Sequence, residues 1–219
     1  MTGQTIGFFA LWNNKPSEYH AGQAEQQETL AAIQGAFDAT QANGTRIFTQ
    51  FETRCSAERQ YVAYWECPSF EVLESAMNDL EAAGDFKFAE SEHIIGIKID
   101  DVYSRDITPH ILRNGDWFGC FIAWTWTDAY YMMDDSERME LKHSMERLIK
   151  EAENRGVKIF GQYDARPFSR YDRFSYLLFP DYKVYEQLID KAEAFGVNKY
   201  ARIRFVLGRY NPVYRFARE

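Results

Sequence analysis

The stretch Gly44-Thr45-Arg46-Ile47-Phe48-Thr49-Gln50-Phe51-Glu52-Thr53-Arg54 returns 112 residues later as Gly156-Val157-Lys158-Ile159-Phe160-Gly161-Gln162-Tyr163-Asp164-Ala165-Arg166. The match widens in both directions at the same offset. Gly7, Phe9 and Trp12 recur as Gly119, Phe121 and Trp124. Tyr64, Pro68, Val72, Glu74, Glu81, Ala82 and Gly84 recur as Tyr176, Pro180, Val184, Glu186, Glu193, Ala194 and Gly196. No gap is needed from about residue 7 to residue 86. Self-similarity at a fixed offset marks a duplicated structural unit. It divides the 219 residues into two like halves, each of about 100 residues and large enough to hold a core.

Both halves run through the same order of patterns. Residues 6–13 are apolar and aromatic, as a buried strand is. Residues 24–42 place Leu30, Ile33, Ala36 and Phe37 at helical spacing, and Gly44 ends that helix. Residues 45–54 and 60–67 read as two strands around a turn. Ser69 then caps a second helix that presents Phe70, Leu73, Met77 and Leu80 on one face. Residues 93–99 form a last strand. The second half repeats this at 118–126, 136–154, 157–166, 172–179, 181–195 and 202–208. The order beta-alpha-beta-beta-alpha-beta is the ferredoxin-like unit. The expected fold is α+β: two tandem ferredoxin-like repeats, 1–99 and 117–219, closing into a pseudo-twofold α/β barrel. Residues 100–116 form the linker, with Pro109 and Asn114-Gly115 as breakers.

A formal charge of −8 excludes nucleic acid as the main partner, because phosphate binding needs a basic face. The opening MTGQTIGFFALW lacks the basic start and long apolar run of a signal peptide. No apolar run nears the ~20 residues of a membrane span. A cytoplasmic protein without a membrane partner is expected. Cys55, Cys67 and Cys120 have no metal-ligand spacing and read as reduced thiols. No HExxH, glycine-rich nucleotide cradle or GxSxG elbow is present, and no metal is expected.

A tandem ferredoxin-like pair with long first helices resembles the dimeric α/β-barrel superfamily. The second half is most similar to its chlorite dismutase-like branch. There Met133-Asp134-Asp135-Ser136-Glu137-Arg138 opens a helix that holds His143, as does the segment leading to the haem-ligand histidine of that branch. The resemblance implies His143 as a haem ligand if haem binds. The helical wheel disagrees. Leu141, Met145, Leu148 and Ala152 share one face and His143 lies opposite, facing solvent.

Gln50, Glu52 and Arg54 alternate on one strand face, and Gln162, Asp164 and Arg166 copy them. With Ile47 and Phe51 turned to the helices, this polar row is expected inside the barrel. It would serve as a substrate grip or as a seam in which Glu52 pairs with Arg166 and Asp164 with Arg54. Symmetry favours the seam, since a catalytic site needs unlike groups.

Function is therefore sought where the copies differ. Trp124-Thr125-Trp126-Thr127-Asp128-Ala129-Tyr130-Tyr131-Met132-Met133 is aromatic and sulfur-rich, as the walls of apolar pockets are. Trp124, Trp126, Tyr130, Tyr131, Met132 and Gln162 are the expected substrate-binding residues. Arg166 and Tyr176 are the expected polarising residues, and His20 a general base at the pocket mouth. The basic, aromatic stretch holding Lys199, Arg202, Arg204 and Arg209 reads as a tail pairing with the acidic body or a neighbouring subunit.

The resemblance implies an enzyme, a homo-oligomer, that isomerises, cyclises or oxygenates an apolar or aromatic small molecule with no cofactor. A haem-dependent redox enzyme and a non-catalytic ligand-binding or interaction protein are the alternatives.

Overall fold

The computed structural model describes residues 4–17, 21–53, 59–99 and 117–210. The linker, His20, Arg54 and Cys55 lie outside them. The first half contributes β1 (Ile6–Asn14), α1 (Gln23–Ala42), β2 (Arg46–Glu52), β3 (Tyr61–Cys67), α2 (Phe70–Ala82), the single turn α3 (Asp85–Phe88) and β4 (Ala89–Ile99). The second contributes β5 (Phe118–Trp126), α4 (Asp128–Tyr131), α5 (Asp135–Asn154), β6 (Lys158–Asp164), β7 (Arg173–Phe179), α6 (Tyr182–Ala194), α7 (Val197–Tyr200) and β8 (Ala201–Tyr210). The strands close into an antiparallel barrel in the order β1-β3-β2-β8-β5-β7-β6-β4. The two halves meet along β2–β8 and β4–β6.

Local signals account for the helix ends. Gly44 and Gly156 follow the long helices at φ 89° and 88°, a left-handed turn that other residues resist. The Ser69 hydroxyl accepts the Val72 N–H at the start of α2, and its counterpart Asp181 accepts that of Val184. Asp134 and Glu137 form a reciprocal capping box on α5, each satisfying a backbone N–H of the helix start.

The barrel interior is an aromatic column rather than the expected polar row. Phe9, Phe48, Phe51, Tyr64 and their repeat copies Phe121, Phe160, Tyr163 and Tyr176 share one buried cluster with Leu11, Ile94 and Phe174. Several of them pack on their own repeat copy: Phe9 on Phe121 with ring centroids 4.1 Å apart, Phe48 on Phe160 at 4.8 Å, and Tyr64 on Tyr176 at 5.1 Å. The pseudo-twofold axis therefore runs along the barrel, and each pair straddles it.

A β-bulge overturned the expected facing. The register between β2 and β3 shifts between Ile47 and Thr49, and that between β6 and β7 between Ile159 and Gln162. The extra residue lets Ile47 stay in the helix-side core while Phe48 and Phe51 both enter the barrel. Gln162 and Asp164 flank Tyr163, so they stand on the face away from the column. Among the described residues Asp164 pairs with Arg166 and Arg173 of its own half, and its expected partner Arg54 lies outside them.

Polar ties between the halves lie elsewhere. Near one end of the barrel, buried Glu66 accepts hydrogen bonds from Tyr64, from Tyr163 of the other half, from Lys98 at 2.9 Å and from Arg46 at 3.1 Å. A second tie joins β4 to β8. Arg204 donates to both carboxylate oxygens of Glu92, at 2.8 and 3.1 Å.

Candidate functional site

The residues expected to shape a second-half pocket do not meet around one space. Trp126 stacks on Tyr130 at 4.0 Å with planes 14° apart, and Trp124 and Tyr131 meet this pair edge-on. The Arg138 guanidinium lies 5.7 Å from the centre of the Tyr130 ring. Tyr131 and Met132 are 61% and 82% exposed, so the loop is an external ladder. Arg166 is exposed and bound to Asp164, whose carboxyl it holds below the usual range. Tyr176 is buried in the barrel column, and its hydroxyl has no hydrogen-bond partner among the described residues. Gln162 is half-buried on the opposite face of its strand. Arg166 and Tyr176 thus occupy different environments.

A cavity of about 160 Å³ lies instead in the first half, between the sheet and α1. Its floor is built from β1, β3 and β4, where Ala10 stands opposite Ala63 on one side and His93 on the other. Two alanines side by side leave room that larger residues would close. The walls are aromatic. Phe8 packs 5.1 Å from both Trp65 and His93, Phe37 meets Trp65 edge-on at 5.4 Å, and Phe86 lies 6.1 Å from His93. Gln26, Thr29, Leu30, Ile33 and Phe37 line it from α1 at helical spacing. This explains why Leu30 remains 55% exposed although the sequence places it on the apolar stripe.

Asp85 and His93 give this cavity chemical character. Trp65 beside them is 3% exposed, and its indole N–H is fully buried and finds no acceptor among the described residues. A buried donor left unmet costs about 1–3 kcal/mol. Burial pushes the Asp85 carboxyl up to about 6 and holds the His93 imidazole below its ordinary value. Burial thus favours the neutral form of both groups.

The repeat supplies an internal comparison. At the same positions the second half has Ile122 for Ala10, Leu141 for Thr29, Val197 for Asp85, Ile203 for Ser91 and Phe205 for His93. Ile122 and Phe205 pack into the second-half core and Val197 is buried. One copy is filled with hydrocarbon, and the other keeps space and polar groups. Asp85, Ser91 and His93 were not among the expected site residues. The signal was present in the alignment of the two copies, but it lies at the edge of the identities and beyond.

Comparison with known proteins places the fold. No family model matches the chain, and no curated protein matches it. Solved structures do. A mutant chlorite dismutase from Candidatus Nitrospira defluvii is 13% identical, with a TM-score of 0.77 over 97% of this chain and 94% of that one. A putative chlorite dismutase is 14% identical, with a TM-score of 0.73 over 98% and 97%. A novel heme-binding protein from Thermus thermophilus is 10% identical, with a TM-score of 0.76 over 95% and 91%. The chain has the fold of chlorite dismutase-like proteins, as the repeat and the α5 segment implied. The expectation of an enzyme without cofactor is corrected by these same neighbours, which point to haem rather than to none.

The residues described do not fit haem where the resemblance would put it. An axial ligand must be held against the ring in a shielded pocket. His143 is exposed, beside Met139 and Arg147 on an open groove along α5, whose buried residues are Ser144, Leu148 and Ala152. The space between α5, α6 and their sheet is filled by side chains such as Tyr185, Leu188 and Phe205. The first-half cavity is of single-ring size: a dry protein cavity of about 150 Å³ holds one benzene. Among the described residues no group of three His, Cys, Asp or Glu could hold a metal ion, and no helix is long and apolar enough to cross a membrane.

Proposed function

We propose that the chain binds a small, single-ring aromatic molecule carrying one polar group, in the first-half cavity between the sheet and α1. The observation that carries this reading is the divergence of the two copies: space, Asp85 and His93 in one, Val197 and Phe205 in the other. Asp85 and His93 on the lining support the polar group, and the rings of Phe8, Phe37 and Phe86 support the aromatic body. Apolar ligand pockets with a few convergent polar groups have this composition.

Phenol is a suitable probe, and the indole N–H resonance of Trp65 is the readout, assigned from its loss in Trp65→Phe. Titration with phenol is expected to move that resonance saturably in the wild type. His93→Phe, which installs the second-half residue, is expected to abolish the shift. A Trp65 resonance indifferent to phenol, or one that moves equally in His93→Phe, overturns the reading.

A further inference from the structure

The cavity is equipped for more than retention, and this inference rests on the binding reading above. Asp85 and His93 line the same cavity, Asp85 from α3 and His93 from the β4 strand that follows directly. No hydrogen bond or ion pair ties either side chain to the rest of the protein among the described residues. This contrasts with the other buried or half-buried carboxylates. Glu66 is held by Arg46 and Lys98, Glu92 by Arg204, and Asp164 by Arg166 and Arg173. A titratable group kept in an aromatic pocket without a partner is costly, and such groups concentrate at sites of chemistry. Tyr61 is the other titratable side chain on the lining; Asn14, Gln26, Thr29 and Ser91 are polar but do not titrate there.

We infer that Asp85 and His93 form a proton-donor and proton-acceptor pair that enolises a neutral benzyl ketone bound beside Trp65. The ring lies among Phe8, Phe37 and Phe86, and the ketone oxygen faces the Asp85 carboxyl. The His93 imidazole removes a proton from the carbon next to the carbonyl, so a C–H bond breaks and an N–H bond forms. The Asp85 carboxyl gives its proton to the carbonyl oxygen, which becomes the enol hydroxyl. Reversal returns a proton to carbon from the imidazolium, after exchange with solvent, and the enol proton to Asp85. Nothing is oxidised or reduced, and no co-reactant is consumed. Burial disfavours the imidazolium, and below about pH 6 it keeps Asp85 a carboxylic acid. General acid–base catalysis of this kind supplies about 10²–10⁴-fold.

The test uses phenylacetone in D₂O, with loss of its methylene proton signals followed by NMR and its binding followed at the Trp65 N–H resonance. The wild type is expected to speed exchange about 10²-fold over buffer. Asp85→Asn and His93→Gln are expected to bind phenylacetone and lose that acceleration. His143→Ala, remote from the cavity, is expected to exchange like the wild type. The wild-type rate is expected to fall as pH rises through about 6, where Asp85 loses its proton, and this limb is expected to vanish in Asp85→Asn. Binding without accelerated exchange overturns the inference and leaves the binding reading intact. Exchange that survives in His93→Gln also overturns it. Phenylacetone that does not move the Trp65 resonance overturns the substrate class, while phenol binding judges the cavity separately.

Discussion

Glu92 and Arg204 occupy the same position in the two halves, 112 residues apart, and are bound to each other by a bidentate ion pair. On a pseudo-twofold axis a residue meets its own copy, so two glutamates or two arginines there would repel. The pair resolves the duplication into opposite charges. Burial alone would raise the Glu92 carboxyl, yet Arg204, Arg170 and Arg59 hold it below its ordinary value. Tyr171 accepts a further hydrogen bond from Arg204 at 3.1 Å.

Arg204→Glu is expected to destabilise the protein by about 2–4 kcal/mol, since it places two carboxylates on the axis and removes a partly buried partner. The double variant Glu92→Arg/Arg204→Glu restores opposite charges and is expected to recover at least half of that loss. Urea unfolding of the two variants and the wild type measures both. Equal instability of single and double variants contradicts the axial pairing.

The cavity makes a prediction about stability. Asp85→Val and His93→Phe copy the second half's own solution to the same packing problem. Together they are expected to stabilise the fold by about 0.5–2 kcal/mol, within the range of cavity-filling changes. Calorimetric melting of the double variant checks this. A marked destabilisation would mean that the two halves are not packed alike around this space.

Asp85 also sets a pH dependence. Its folded value of about 6 exceeds the ordinary 3.8, so between those values the folded state holds a proton that the unfolded state has lost. The contribution is fully present below about 4 and fades as pH rises through about 6. At roughly 1.4 kcal/mol per unit, the stability of the wild type relative to Asp85→Asn is expected to fall by up to about 3 kcal/mol over that range. His93, held below its ordinary value, gives a slope of opposite sign, but it does so in both proteins. Denaturant midpoints at pH 4, 5, 6 and 7, a series that brackets the folded value of about 6, provide the comparison.

The exposed position of His143 has a spectroscopic consequence. Hemin added to the wild type and to His143→Ala is expected to give the same Soret spectrum, because this imidazole faces solvent rather than a shielded pocket. A Soret band lost on this substitution would place an iron ligand where the structure shows an open helix face.

The fold was legible because its signals are local or repeated. Gly44 and Gly156 end helices through a backbone angle, Ser69 caps one through a single hydrogen bond, and the offset exposes the duplication. The facing of β2 was not legible. The bulge after Ile47 exists only in pairing with β3, and it turned both Phe48 and Phe51 inward, which strict alternation forbids. The aromatic loop from Trp126 to Met132 drew the search to the second half, whereas the described cavity lies in the first. Aromatic residues signal burial or stacking equally well, and these stack on one another at the surface. The contrast of His93 with Phe205 carried more. Its meaning depends on Ala10 and Ala63 leaving space beside it, a relationship across three strands.

The central claim is that the ligand site lies in the first half. A crystal of the protein soaked in 4-bromophenol tests it most directly, because the bromine marks its own position by anomalous scattering. The predicted result is a peak in the first-half cavity, among Phe8, Trp65 and His93. A peak confined to the Trp126–Tyr130 ladder, or none in the cavity at saturating 4-bromophenol, would contradict it.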